Sequence, residues 1–251
     1  MNIFVLTLFP EIIEANVNTS IVGRAITSGV IDLKTINIRD YSLDAYSKVD
    51  DRLFGGGTGM LMMCQPIYDA WSAIRSKIPC GQKTHTIYMS PKGKVFNQKK
   101  AIELSGIENV IFLCGHYEGI DQRVLDEIVD EEISLGDYVM TGGELAASIV
   151  IDSMARLVPG VLPNEEAYTD ESHMNGTLEY PQYTRPAVWR DREVPAILIS
   201  GHHKNIEKWK HLLSLYETMQ KRPDLFEKLE LTEEDFEELI EYILEFNKNY
   251  V

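Results

Sequence analysis

The 251-residue sequence predicts an α/β protein, with a mostly parallel sheet, helices on both faces and a small helical module at the carboxyl end. Three observations carry this. Short apolar runs rich in Ile, Val and Phe alternate with segments of helical period as far as Leu157, the pattern of strands joined by crossover helices. Three successive runs lead into glycine-bearing segments, Y-M-S-P-K-G, C-G-H-Y-E-G and S-L-G-D-Y-V-M-T-G-G. In open parallel sheets ligands bind outside the carboxyl ends of strands, so these segments are expected to gather at one edge. After Val158 the period is lost and a polar stretch precedes two further amphipathic helices.

Asn2 to Leu8 reads as a buried strand, and Pro10 suits the first turn of the helix after it, where no backbone N–H is needed. Ile21 to Ser28 predicts a short helix closed by Gly29, and Ile31 to Ile38 a strand. Asp50 to Met60 (D-D-R-L-F-G-G-G-T-G-M) holds four glycines in five positions, but neither P-loop nor dinucleotide spacing. A solvent loop and a functional loop are equally compatible with it. Then follow a helix over Pro66 to Lys77, a strand over Thr84 to Ser90, the P-K-G segment Pro91 to Gly93, and a helix around Asn97 to Leu104. The strand Asn109 to Cys114 runs into Gly115 to Gly119, and a helix over Asp121 to Val129 leads to a strand ending near Ser134.

Beyond it come a turn at Gly136-Asp137, a few extended residues, a Gly142-Gly143 hinge and a helix from Glu144. Leu145, Ile149, Val150, Met154 and Leu157 recur there at helical spacing and are expected to face the core. Glycine lets backbone approach a ligand closely, and Tyr88, Tyr117 and Tyr138 stand near to flank a ring. Pro159, Gly160 and Pro163 then break the helix. The expected organisation is a cofactor-binding domain over 1–162, a flexible linker over 163–177 and a helical domain over 178–251. In the last, Lys204 to Gln220 should form a long helix with Ile206, Trp209, Leu212, Leu213 and Tyr216 on one face. Thr232, with Asp235 three residues on, should cap a final helix running to Phe246.

Composition narrows the class. A hydrophobic fraction of 44% and a charged fraction of 25% are ordinary for a globular protein. No apolar run approaches the ~20 residues of a membrane span. The amino-terminal run lacks a basic start and a small-residue cleavage site, and so reads as a strand, not a signal peptide. Cys64, Cys80 and Cys114 have no C-x-x-C spacing, which argues against a disulfide framework and a zinc site and points to a reducing cytoplasm. Net charge is −15 but unevenly placed: Asp224 to Val251 carries ten acids and two lysines, net −8. Tyr183 to Arg222 carries eight Lys/Arg and four Asp/Glu, net +4, a segment that permits nucleic-acid binding.

L-F-P-E at Leu8, the Gly-rich loop, C-G-H-Y-E-G-I-D, S-L-G-D-Y-V-M-T-G-G-E-L, P-Q-Y-T-R-P and S-G-H-H-K-N-I-E-K-W-K resemble the bacterial tRNA (guanine-N1)-methyltransferases of the knotted SPOUT class, collinearly over almost the whole chain. The resemblance implies a deep trefoil knot at the cofactor site, a rare exception to the general absence of knots. It implies S-adenosylmethionine as methyl donor, a homodimer, and the anticodon stem-loop of tRNA as substrate, methylated on N1 of the guanine at tRNA position 37. No membrane or DNA partner is expected, and a magnesium requirement is not legible in the residues. The cofactor residues it implies are Tyr88, Ser90, Pro91, Gly115, Tyr117, Glu118, Ser134, Leu135, Gly136, Asp137, Tyr138, Val139, Met140, Gly142 and Gly143. Arg156 matches the family's catalytic arginine. The family's general base, an aspartate, falls on Glu171 in this chain, with Asp170 just before it. Ala146, Leu53 and Thr58 stand where the family commonly has proline.

Such a reaction requires these residue types. Guanine N1 carries a proton that a carboxylate must remove, and negative charge builds toward O6, where a cation such as Arg156 stabilises it. On spacing alone, Glu171 also reads as a solvated acid and Arg156 as a helix C-terminal cation. Arg185, Arg190, Arg192, Lys204, Lys208 and Lys210, with His202 and His203, are the candidate phosphate contacts. Methylation at another RNA site and non-catalytic RNA binding are the alternatives.

Overall fold

The computed structural model describes residues 1–163, 168 and 170–250. The chain falls into two compact units, Met1–Asn164 and Glu165–Val251. The first is built on a five-stranded parallel sheet of β1 (Asn2–Thr7), β2 (Asp32–Asn37), β5 (Thr84–Val95), β6 (Asn109–Cys114) and β7 (Glu131–Ser134). Their order across the sheet is β2-β1-β6-β5-β7. From β5 the chain steps inward to β6, then returns past β5 to β7, so consecutive connections diverge at this end of the sheet. An antiparallel pair, β3 (Asp50–Arg52) and β4 (Met60–Met62), flanks the Gly-rich loop.

Alternation along each strand explains the two apolar layers, because successive side chains point to opposite faces. Ile3, Val5, Val110, Phe112 and Cys114 meet α1 (Pro10–Val17), α2 (Ser20–Thr27), α4 (Gln98–Ser105) and α6 (Glu144–Ala155) on one face. Phe4, Leu6, Tyr88, Ile111 and Leu113 meet α3 (Cys64–Arg75) and α5 (Gln122–Ile128) on the other. The central β6 is buried from end to end. Local chemistry sets the helix starts. Pro10 opens α1, Asn97 accepts a hydrogen bond from the Lys100 N–H at 3.0 Å, and Asp121 accepts one from the Arg123 N–H at 3.0 Å. An unpaired N–H at a helix start is satisfied in each capped case.

Two expectations are corrected. The strand expected to stop at Ser90 continues through P-K-G to Val95, and its pairing with β7 shifts register between Met89 and Lys94. Gly93 makes this possible, since a Cβ there would lie 2.5 Å from the Glu132 carbonyl oxygen. On α6, Leu145 and Ile149 are 52% and 49% exposed, not core. The buried apolar residues are Ala146, Ala147, Val150, Ile151, Met154 and Ala155, with Glu144 and Ser148 buried beside them. Small alanines let α6 lie close on the sheet, with Leu145 and Ile149 on its outer side.

The second unit is helical. It contains a hairpin, β8 (Val188–Trp189) and β9 (Arg192–Glu193), then α7 (Ala196–Ile199), α8 (His203–Lys221), α9 (Pro223–Phe226) and α10 (Glu233–Tyr250). Within the stretch expected to be a linker, Asn164–Ala167 and Thr169 lie outside the described residues. Over 170–177 it forms turns, with the Met174 N–H bonded to the Glu171 carbonyl at 3.2 Å and the His173 N–H to the Thr177 carbonyl at 2.7 Å. Leu178 is then anchored on α8: its N–H bonds Thr218 Oγ1 at 2.8 Å and its carbonyl accepts from Ser214 Oγ at 2.5 Å. Leu213, Leu215 and Thr218 are the buried residues of α8. Of the expected stripe Leu213 is buried and Ile206, Trp209, Leu212 and Tyr216 are half-buried, while Leu215 and Thr218 are buried from outside it.

Candidate functional site

A cleft of about 300 Å³ opens in the first unit where β5, β6 and β7 give way to their loops. Its lining includes Tyr88, Ser90, Pro91, Gly115, Tyr117, Glu118, Ser134, Leu135, Gly136, Tyr138, Val139, Met140, Gly142 and Gly143. Asp137 is exposed on the same turn and is not among the lining residues. The structure thus draws three segments far apart in sequence around one space, walled largely by main chain.

Glycine is required at particular points of this wall. A Cβ at Gly143 would stand 2.9 Å from Cys114 Cα, and one at Gly115 2.9 Å from the Tyr88 hydroxyl. A Cβ at Gly142 would strike His116 Nε2 and lie 2.5 Å from Glu144 Oε2. Gly136 adopts φ +147, turning the chain back beneath the Tyr138 ring. Ser134 Oγ pins this turn, with the Gly136 N–H donating to it at 3.1 Å. The Gly143 N–H bonds the Gly115 carbonyl at 3.1 Å, tying the second loop to the third.

The cleft also involves residues that sequence reasoning does not single out. Glu144, 2% exposed, begins α6 and accepts a hydrogen bond from Thr7 Oγ1 at 2.6 Å on one carboxylate oxygen. Its other oxygen is 3.0 Å from His116 Nε2. Thr7 Oγ1 in turn accepts from the Phe9 N–H at 2.9 Å, and Phe9 packs on the His116 ring at 4.7 Å. A carboxylate at a helix start is favoured by the helix dipole. Here one acid braces the ends of β1 and β6 against α6. Sequence alone cannot separate this buried acid from the solvated acids common in a first helical turn.

Burial pushes the Tyr88 phenol up to about 12, with the nearby Glu132 carboxylate and Cys114 adding to it. Tyr88 is thus a neutral hydrogen-bonding wall at ordinary pH. Burial likewise raises the Cys114 thiol well above its usual range, with Glu144 contributing, so it is no nucleophile. Among the described residues no group of three or more His, Cys, Asp or Glu is placed to hold a metal ion.

The catalytic candidates are placed as follows. Arg156 is the half-buried C-cap of α6 and is not among the cleft's lining residues. Glu171 and Asp170 belong to the second unit, Glu171 half-buried and Asp170 exposed. Of the candidate phosphate contacts, Lys208 pairs with Glu238. Lys210 pairs with Glu207 at 2.8 Å and lies 5.3 Å from the Tyr180 ring. Arg190 stacks over Trp189 at 5.0 Å. Arg185 and Arg192 are exposed, the latter on the hairpin, and His202, His203 and Lys204 are exposed at the start of α8.

Fold and cleft together define a class: a parallel α/β protein with a cleft at the carboxyl ends of its strands, walled largely by main chain and lined by Tyr88, Tyr117 and Tyr138. The family follows from comparison with known proteins. The family model described as tRNA (Guanine-1)-methyltransferase TrmD matches residues 1–228, and the chain belongs to that family. A Ruminiclostridium cellulolyticum protein named tRNA (guanine-N(1)-)-methyltransferase is 57% identical over 229 residues, covering 91% of this chain and 97% of the relative. Proteins of the same name from Clostridium botulinum strain Hall and Clostridium perfringens strain SM101 are each 54% identical over 235 residues and 94% of this chain, covering 95% and 97% of the relatives. Among the described residues no helix is long and apolar enough to cross a membrane.

Proposed function

We propose that this chain methylates N1 of guanine in tRNA, at position 37 beside the anticodon, with S-adenosylmethionine bound in the cleft of the first unit. The observation that carries this is the cleft itself, a main-chain wall from three strand-end loops in a chain of this family. It fits the proposed ligand: the glycines leave room for a nucleoside against backbone, and Tyr88, Tyr117 and Tyr138 offer ring faces and hydroxyls. When bound, S-adenosylmethionine would supply a methyl group on its sulfonium sulfur and leave as S-adenosylhomocysteine.

The chain's own residues supply the rest. Glu171 takes the proton from guanine N1, with Asp170 the alternative if the register across the segment shifts by one. Arg156 stabilises charge developing at O6. Arg156 belongs to the first unit and Glu171 to the second. The reading also includes a trefoil knot in the first unit, supported by the close approach of Gly93 to the Glu132 backbone and the hydrogen bond from Gly143 to Gly115. The second unit, with Arg190 and Arg192 exposed on its hairpin and Lys204 exposed at the start of α8, is the tRNA-binding domain. A homodimer is part of the same reading, supported by the apolar Leu145, Ile149 and Val139 left exposed beside the cleft.

The test is single-turnover methylation of a tRNA transcript bearing G or A at the target position. Glu171→Gln keeps the shape and cannot take a proton. It is expected to lose at least about a hundredfold in rate, with cofactor affinity nearly unchanged, while Asp170→Asn costs much less. The reverse ranking makes Asp170 the base. If both variants keep full rate, neither acid removes the proton.

A further inference from the structure

Glu132 lies on β7, the edge strand paired with β5, directly opposite Tyr88 in the parallel register. Residues opposed in this way leave the sheet on the same face, and both residues line the cleft. Its sequence neighbour Glu131 is fully engaged, 3.1 Å from both Lys100 Nζ and His85 Nε2. Glu132 differs: its Oε2 is buried and has no hydrogen-bond partner among the described residues. A buried carboxylate oxygen without a donor is costly, and native structures rarely keep one without a reason. The surroundings supply an apolar wall, since Ile120 and Leu125 line the same cleft. An acceptor of this kind, at the floor of a ligand site and unused by the fold, is aimed at a donor that arrives with the ligand.

We propose that Glu132 is a cofactor-binding residue whose carboxylate receives a hydrogen bond from an N–H group of the methyl donor. This rests on the reading of the cleft as an S-adenosylmethionine site. Two N–H groups of that molecule qualify, the ring amine of adenine and the α-ammonium. Either gives a charge-assisted bond, roughly twice as strong as a neutral one.

The test is calorimetric titration of the wild type and Glu132→Gln with S-adenosylhomocysteine and with methylthioadenosine, which keeps the adenine and lacks the ammonium. The melting temperature of each ligand-free protein is measured alongside. The variant is expected to bind S-adenosylhomocysteine at least tenfold more weakly, with a melting temperature unchanged or raised, because the fold gives Oε2 no hydrogen bond to lose. The same loss with methylthioadenosine places the donor on the adenosine part, whose only N–H group is the exocyclic amine, and a loss confined to S-adenosylhomocysteine assigns the ammonium. Undiminished affinity in the variant overturns the contact alone. A lower melting temperature accompanying weaker binding marks Glu132 as a structural residue and overturns it too. Failure of the wild type to bind either compound overturns the cofactor reading, and the contact with it.

Discussion

In the first unit β6 is buried along its whole length and two apolar layers cover the sheet, one on each face. In the second, among the described residues, only Leu213, Leu215, Thr218 and Leu239 are buried, and polar devices do more of the positioning. Leu178 is held by two hydroxyls of α8. Thr232 and Asp235 cap α10 reciprocally, the Thr232 N–H reaching Asp235 Oδ2 at 2.9 Å and the Asp235 N–H reaching Thr232 Oγ1 at 3.1 Å. His211 adds a contact to Asp235 at 2.8 Å. The contrast shows two ways of holding a chain segment in place. Close packing fixes backbone to a fraction of an ångström and tolerates no extra atom, whereas caps and anchors fix helix ends and respond to pH.

The largest effect should come from adding one methyl group where the sheet unit is tightest. Gly93→Ala places a Cβ against the backbone of Glu132, which no side-chain rotation relieves. Urea denaturation of the first unit should show a loss of about 3 kcal/mol or more, at the upper end of overpacking costs. A near-wild-type midpoint would mean that packing does not govern this crossing.

The next tests a polar brace inside the packed unit. Thr7→Val keeps volume and removes the hydroxyl that serves Glu144 and the Phe9 N–H. Leaving such groups unsatisfied costs about 1–3 kcal/mol, so the melting temperature should fall, while Thr7→Ser stays close to wild type. Equal behaviour of the two variants would remove the brace from the account.

The smallest effect belongs to the second unit. Thr232→Ala removes a cap and should cost about 1 kcal/mol. Hydrogen bonds from the Thr232 N–H and hydroxyl, then from His211, lower the Asp235 carboxyl to about 2. Its folded value lies below the unfolded one of about 3.9, so its contribution is complete above pH ~4 and is lost as pH falls toward 2. Helical ellipticity should therefore weaken over that interval, and less so in Thr232→Ala. An identical acid profile in wild type and variant would show that the cap does not set it.

Much of this architecture is legible in the chain alone. Alternating apolar runs and helical periods identify the parallel α/β class, and glycines clustered after strands identify the segments that line the cleft. Pro10, Asn97, Asp121 and Thr232 start helices by chemistry that needs only the neighbouring residues. Other features are not legible there. The outward turn of Leu145 and Ile149 depends on how closely alanines let α6 approach the sheet, which a one-dimensional period cannot report. The continuation of β5 through Pro91–Gly93 depends on a neighbour supplied some forty residues later.

Sequence by itself determined what each segment can do locally: extend, coil, cap or turn. Tertiary structure decided which groups are taken out of water and with whom. It made Glu144 a braced acid, left the Glu132 oxygen unpaired beside Tyr88, and made Glu131, one residue away, an ordinary ion-pair partner. These three carboxylates are chemically alike in the chain, and only burial and register, both long-range, give them different work.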